Sequence, residues 1–271
     1  MSLPHFFIHE QIEGVAGEFV AIPLDRDVAA HLKTLRLKAG ERIVLIDRPG
    51  HGWKLILSDT PDIKRGIVEG CLENEMRSQM RADLTLIQGI SAADRMDQTI
   101  RQVTELGVSR IIPLESERSN VRLQNSSRDK KRERWQKVAI SAAEQSAQLR
   151  YPAVERPVGL DEALALLAGY DLLLFFWEEA DVALSSVFTR YGDERNPSKV
   201  GFFIGPEGGF SHAEAERIKA FGALELSLGP TILRTETAAV VASALILYQL
   251  GALGALGALG ELGELGAPGA R

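Results

Sequence analysis

The sequence is poor in the residues that build covalent or metal-held folds. Cys71 is the single cysteine among 271 residues, which excludes an internal disulfide and suits a reducing compartment. A thiolate metal site is not expected either. The five histidines (5, 9, 31, 51 and 212) show no ligand-type pairing, so no metal is expected. No window holds 18 consecutive apolar residues, which argues against a spanning helix and predicts no membrane partner. The start, "MSLPHFFIHE", lacks a basic region followed by an apolar stretch and predicts no secretory signal. The dinucleotide fingerprint G-x-G-x-x-G and the P-loop pattern G-x-x-x-x-G-K are also missing. With 45% hydrophobic and 25% charged residues, the expectation is a cytoplasmic globular protein long enough for two domains.

Charge of one sign is not lacking overall, but it is unevenly spread. The net charge is −6, composed of −3 over residues 1–75, +5 over 76–152 and −8 over 153–271. The positive stretch includes "SSRDKKRERWQK" (Ser126–Lys137), with Arg118 and Arg122 just before it. Such a patch attracts a polyanion whatever the total says, although a charge run of this kind also serves as a plain solvated helix face.

The first 75 residues predict short strands at 6–8, 42–47, 53–58 and 65–72, with one helix over 26–37. A small β-barrel or sandwich is the economical expectation. From about Asp83 strands and helices alternate. Strands are expected at 84–89, 108–114, 171–177, 200–204 and 224–228. Helices are expected around 94–106, 127–149, 161–168, 181–188, 211–221 and 235–250. Several of these strands are uniformly apolar, the mark of a mostly parallel sheet covered by helices on both faces. The polar stretch 73–81 is the expected boundary, giving domains 1–76 and 77–250. The remainder, 251–271, repeats Gly-Ala-Leu with a period of three, neither helical nor strand-like, and reads as a low-complexity tail.

Two late loops carry the chemical signal. "GFFIGPEGGF" (201–210) leaves a strand, and Ser211 with Glu214 forms a capping box for the next helix. "LGPTILRTETAAVV" (228–241) repeats the strand–loop–helix plan, with Thr235 a candidate N-cap. In open α/β sheets ligands sit beyond the carboxyl ends of strands. Two adjacent loops of this kind could hold the edge of a flat heterocycle by main-chain hydrogen bonds, or they could be ordinary turns.

At this point the residues resemble a known family. "IGPEGGFS" with "LGPTILRTETAAVVA" is similar to the paired signature of the RsmE family, SPOUT-class methyltransferases of small-subunit (16S) ribosomal RNA. The likeness continues through "DRMDQTIRQVTELGVSRIIPLESERS" (94–119), "RWQKVAISAAEQS" (134–146) and "HLKTLRLKAGERIVLID" (31–47). The resemblance implies an N-terminal PUA-like RNA-binding β-barrel and a knotted SPOUT-type α/β domain. It also implies a homodimer, S-adenosylmethionine as donor, and methylation of N3 of a uridine in 16S rRNA. By position, Leu174, Phe176, Gly205, Pro206, Glu207, Gly208, Gly209, Leu228, Gly229, Leu233 and Thr235 become the cofactor-binding candidates, with Trp177 beside them. Arg234, Glu236 and Arg95 become the catalytic candidates, with Glu144 in reserve, because a uridine N3 must lose a proton while charge spreads onto its carbonyls. Arg36, Arg118, Lys130, Lys131 and Arg132 are the RNA-contact candidates, and Trp135 is expected in the core. Departures lie at "SAADR" (91–95) and at Ala147 and Gln148, where the family commonly carries basic residues; these bear on the RNA grip. The alternatives are a non-catalytic RNA-binding protein on the same scaffold, a methyltransferase of another RNA nucleotide, and an enzyme using these loops for a nucleotide-type ligand.

Overall fold

A computed structural model describes residues 3–59, 66–78, 82–119, 121–188 and 197–253. The Gly-Ala-Leu tail lies outside the described residues from 254 onward.

The first unit contains β1 (His5–Phe7), β2 (Phe19–Pro23), α1 (Arg26–Leu35), β3 (Arg42–Arg48), β4 (His51–Leu57) and β5 (Ile67–Arg77). The strands pair in the order β1-β3-β4-β5-β2, all antiparallel except β1 with β3. Phe6, Ile43, Leu45, Leu55, Val68 and Leu72 form its buried core. β2 alternates in burial, with Val20 and Ile22 turned inward and Phe19, Ala21 and Pro23 exposed, but its sequence FVAIP is apolar throughout and shows no polar–apolar alternation. It is held as an edge on β5. That strand runs on through Arg77, into the polar stretch at 73–81.

The second unit is built on six parallel strands: β6 (Asp83–Gly89), β7 (Arg110–Leu114), β8 (Ala153–Val154), β9 (Leu172–Phe176), β10 (Lys199–Ile204) and β11 (Leu224–Leu226). Their order is β11-β9-β10-β6-β7-β8. The helices are α2 (Ala93–Leu106), α3 (Asn125–Gln145), α4 (Leu160–Leu166), α5 (Ser185–Phe188), α6 (His212–Ala220) and α7 (Thr235–Gln249). The uniformly apolar strands are explained by two cores. Leu172, Leu174 and Phe176 point to the face covered by α2, α3 and α7, whereas Leu173 and Phe175 point to the face covered by α4 and α6. With each such side chain contributing about 1.5–3 kcal/mol on burial, a one-residue slip of β9 exchanges both faces at once.

The helix periods also translate into burial. Met96, Ile100 and Val103 of α2 are fully buried, and Gly107 ends the helix in a left-handed conformation at φ 97°. Trp135 of α3 is in the core, as expected. Two helices are shorter than their patterns suggest. The chain at 181–188 yields only the single turn α5, because Ala183 bridges Ser227 in extended conformation first. α3 stops at Gln145, after which Ala147 turns left-handed at φ 56°.

α3 also joins the two units. Its Glu144 accepts a hydrogen bond from the Phe7 amide at 3.5 Å and lies 3.7 Å from His31 of α1. Burial pushes the Glu144 carboxyl above its ordinary range, and those two contacts offset this only in part. The reserve catalytic carboxylate is thus a seam residue.

One close approach governs the active edge of the sheet. A Cβ on Gly89, the last residue of β6, would lie 2.3 Å from the Pro206 nitrogen and 2.8 Å from the Gly205 carbonyl carbon. Gly89→Ala is expected to cost about 1–3 kcal/mol by forcing these backbones apart. Denaturant midpoints of the variant and the wild type measure it, and equal midpoints would contradict the steric account.

Candidate active site

Because the strands of the second sheet are parallel, the loops leaving them share one edge. The segments after β6 (90–92), β7 (115–119), β9 (177–184), β10 (205–211) and β11 (227–234) therefore meet.

The loop after β10 turns at Gly209, whose amide donates to the Pro206 carbonyl at 3.0 Å and whose φ is 66°. It ends in the predicted capping box. Ser211 Oγ accepts from the Glu214 amide at 3.2 Å, and Glu214 Oε2 accepts from the Ser211 amide at 2.9 Å. The other oxygen of this buried glutamate accepts from the Glu117 amide at 2.8 Å, so the same side chain anchors the loop after β7. Arg118, in that loop, lies against Gly208.

The loop after β11 returns over the ends of β9 and β10 to start α7. Here the capping expectation is corrected. Arg234 occupies the N-cap position in extended conformation, and Thr235 is the first helical residue. Its hydroxyl does not cap, because it is engaged across the chain: it donates to the Gly205 carbonyl at 2.5 Å and accepts from Gln88 Nε2 at 2.9 Å. Three segments, the ends of β6 and β10 and the start of α7, are pinned at one oxygen.

Between these loops lies a cleft of about 750 Å³, counting its open mouth. Of the cofactor candidates, Phe176, Gly205, Pro206, Gly209, Leu228, Gly229, Leu233 and Thr235 line it. Leu174 is buried one turn of the strand deeper, and Glu207 and Gly208 are not on the wall. Ile204, Phe210 and Ala238 add apolar surface, while Ser227 and the main chain of 229–231 add polar groups. Apolar walls and main-chain edges suit an adenine nucleoside with a short polar appendage. Sequence reading missed Glu178, which lines the cleft next to Trp177. Nothing in the local pattern marks it, since its neighbour Glu179 looks identical in sequence and faces His212 instead.

The catalytic candidates flank this cleft without lining it. Arg234 is exposed; its carbonyl accepts from the Ala238 amide at 2.8 Å, and its side chain makes no hydrogen bond or ion pair with another described residue. It does not pair with Glu236. Glu236, in the first turn of α7, is buried, and its Oε2 has no hydrogen-bond partner among the described residues. Arg95 binds Glu207 at 2.9 Å, and the same Glu207 oxygen accepts from the Ala92 amide at 3.0 Å. The carboxylate thus sits at the start of α2, where the helix dipole favours it. Burial alone would raise the Glu207 pKa, but the Ala92 amide, its own amide and Arg95 outweigh that and hold it below its ordinary value. Of the RNA candidates, Arg118 adjoins the loop after β10 and the others lie elsewhere. Arg36 ends α1 in a left-handed conformation and is exposed. Within the basic run, Arg128, Arg134 and Lys137 face Glu115, Asp97 and Asp27, leaving Lys130, Lys131 and Arg132 without an acidic partner among the described residues.

A parallel sheet whose last two loops close on one cleft, joined to an N-terminal β-rich unit, defines a class of enzyme, and residues 78–247 match the RNA methyltransferase domain. The ribosomal RNA small subunit methyltransferase E of Bacillus subtilis is 30% identical over 220 residues, 80% of this chain and 86% of that protein. Its Mycobacterium tuberculosis counterpart is 28% identical over 224 residues, covering 81% and 83%. The crystal structure of a ribosomal RNA small subunit methyltransferase E from Neisseria gonorrhoeae, bound to S-adenosylmethionine, superposes with a TM-score of 0.77. It is 32% identical and covers 91% of this chain and 98% of that one. The chain belongs to the ribosomal RNA small subunit methyltransferase E (RsmE) family.

A carboxylate held below the ordinary 4.5 stabilises the fold above that pH and loses its contribution as pH falls through its folded value. Glu207→Gln is therefore expected to be less stable than wild type at pH 7, with the gap closing below about pH 4.5. Unfolding midpoints across pH measure this, and a gap constant with pH would remove the ionic latch.

Proposed function

We propose that this protein transfers the methyl group of S-adenosylmethionine to N3 of a uridine in 16S ribosomal RNA, as a cytoplasmic homodimer. The observation that carries this reading is the cleft between the loops at 205–211 and 227–234, in a chain whose relatives are named for methylating small-subunit ribosomal RNA. A non-catalytic RNA-binding protein on the same scaffold would leave that cleft without a use.

The cofactor supplies an electrophilic methyl group on a positively charged sulfur, so much of the rate enhancement comes from alignment with the acceptor nitrogen. The protein has three further tasks. The first is to hold the adenosine part, for which Phe176, Leu228 and Leu233 offer apolar contact and the loop backbone offers hydrogen bonds. The second is to accept the N3 proton. Glu236 suits this role, since one of its oxygens is buried without a donor and lies one residue past the cleft wall at Thr235. The third is to stabilise negative charge on the flanking uracil carbonyls, for which Arg234 is unencumbered. Arg95 keeps unused guanidinium donors beyond the one bound by Glu207, and it remains 42% exposed.

RNA contact falls to Arg118 beside the loop after β10, to Lys130, Lys131 and Arg132 on α3, and to Arg36 on the N-terminal unit. We take residues 1–76 as the PUA-like RNA-binding domain and 77–250 as the SPOUT domain. The pass of 227–234 back over β9 and β10 is read as the closing step of its trefoil knot. The homodimer is supported by α7, which is apolar all round. Its outer face leaves Leu245 41% and Tyr248 64% exposed.

Arg234→Ala is expected to bind S-adenosylmethionine as wild type does and to lose methyl transfer by about 100-fold or more, the scale of a lost charge-stabilising donor. Incubation with small-subunit ribosomal RNA and mass mapping of the product tests both the target and the residue. Methylation at wild-type rate would remove Arg234 from the chemistry, and methylation at an atom other than a uridine N3 would correct the target. Neutralising Lys130, Lys131 and Arg132 together is expected to weaken RNA binding and to reduce its log–log salt slope by about 3, near one unit per phosphate contact. An unchanged slope would make this face a solvated one.

A further inference from the structure

Glu178 is the single ionisable side chain on the wall of the cleft among the described residues, and it has no role in the proposed chemistry. Its position is fixed. The sheet pairing of β9 continues to Trp177, whose amide donates to the Leu226 carbonyl at 3.1 Å, and the chain then turns as Ala180 bonds back to Trp177 at 3.2 Å. Glu178 is the first of the two residues between, and Glu179 the second. Its carboxylate stands over the loop after β10, where a Cβ on Gly209 would come within 3.2 Å of both oxygens. Gly209 leaves the carboxylate this close approach.

This carboxylate has no cation. It makes no ion pair with a described residue, and the basic groups nearby are committed elsewhere. Lys219 lies 5.4 Å above the Trp177 ring but is held by Glu216 at 2.7 Å and Glu225 at 3.3 Å, and His212 faces Glu179. The indole of Trp177 cannot substitute as a cation receptor with ease, since Phe175 stacks on it at 5.7 Å and His212 meets it edge-on at 5.5 Å. The N-terminus of α7 opens onto the cleft at Thr235, and the Arg234 and Glu236 charges on either side of that residue lie off the wall. Glu178 is therefore the one full charge on the wall itself among the described residues.

We propose that Glu178 sets the charge preference of the cleft, favouring the sulfonium donor S-adenosylmethionine over its neutral thioether product S-adenosylhomocysteine. The inference rests on the reading that the cofactor occupies this cleft. The two molecules share adenine, ribose, α-ammonium and α-carboxylate groups, and differ by one methyl and one positive charge on sulfur. A carboxylate bonded to the ribose or to the ammonium treats both alike. A carboxylate acting on the sulfur charge separates them, and so helps the product leave after each transfer.

The test is equilibrium binding of S-adenosylmethionine and S-adenosylhomocysteine to the full chain and to Glu178→Gln, an exposed position where glutamine keeps the shape. For a unit charge acting across several ångströms of partly solvated cleft, the variant is expected to lose about tenfold in affinity for S-adenosylmethionine and less than about twofold for S-adenosylhomocysteine. Raising salt is expected to shrink the wild-type preference and leave the variant unchanged. Equal losses for both ligands, or no loss for either, overturns the proposal. Ala238→Trp, which fills the cleft from α7, separates this from failure of the underlying reading. If that variant, folded by circular dichroism, still binds S-adenosylmethionine at wild-type strength, the cofactor is not in this cleft. If it loses binding while Glu178→Gln discriminates nothing, the cleft stands and the charge role falls.

Discussion

The hydroxyl of Thr235 holds the working end of the molecule together. It joins the Gly205 carbonyl at the end of β10 to the Gln88 side chain at the end of β6, and it stands at the first residue of α7. Such a junction is possible only where backbones approach closely, and Gly89 permits this by carrying no Cβ against Pro206. Because a buried hydroxyl must both donate and accept to avoid a desolvation cost, the two bonds fix the spacing of three segments at once. The cleft is the space these segments leave on the side of β9. Its width follows from the junction rather than from the loops themselves.

Around that junction, charge is used as mechanical fastening as much as chemistry. Glu214 caps its own helix and ties down the loop after β7, and Glu207 does the same for the start of α2 while engaging Arg95. Each carboxylate meets main-chain amides as well as, in one case, a guanidinium. This arrangement explains how glycine-rich loops with little side-chain packing stay in place. It also explains why Glu178, Arg234 and Glu236, charged groups near the cleft without such duties among the described residues, are the ones available to a ligand.

Much of the fold was legible in the sequence because its periods are strong. The apolar runs of β9 and β10 and the 3.6 spacing of Met96, Ile100 and Val103 translate directly into buried faces. β2 and β8 escaped because each buries a single residue and is held by its partner strand, not by a pattern of its own. The N-cap was misassigned to Thr235 for a related reason. Local rules describe what a hydroxyl does when the helix beside it is its nearest partner, and here a loop thirty residues away is nearer. At the site, the glycine loops announced themselves, whereas Glu178 did not. Its distinction from Glu179 depends on which way the chain turns after Trp177, a fact of tertiary structure.

α7 links these features. Fifteen residues of helix extend about 22 Å as a stiff rod, with the cleft at the first residue and an uncovered apolar face along its length. One side packs against α2 and the sheet through Ala239, Ala242 and Ile246, leaving no slack for the rod to slide. A second copy seated on Leu245 and Tyr248 would therefore bear on the same rigid element that carries Arg234, Thr235 and Glu236. The cleft residue Thr235 and the exposed pair Leu245 and Tyr248 thus belong to one helix packed along its inner side.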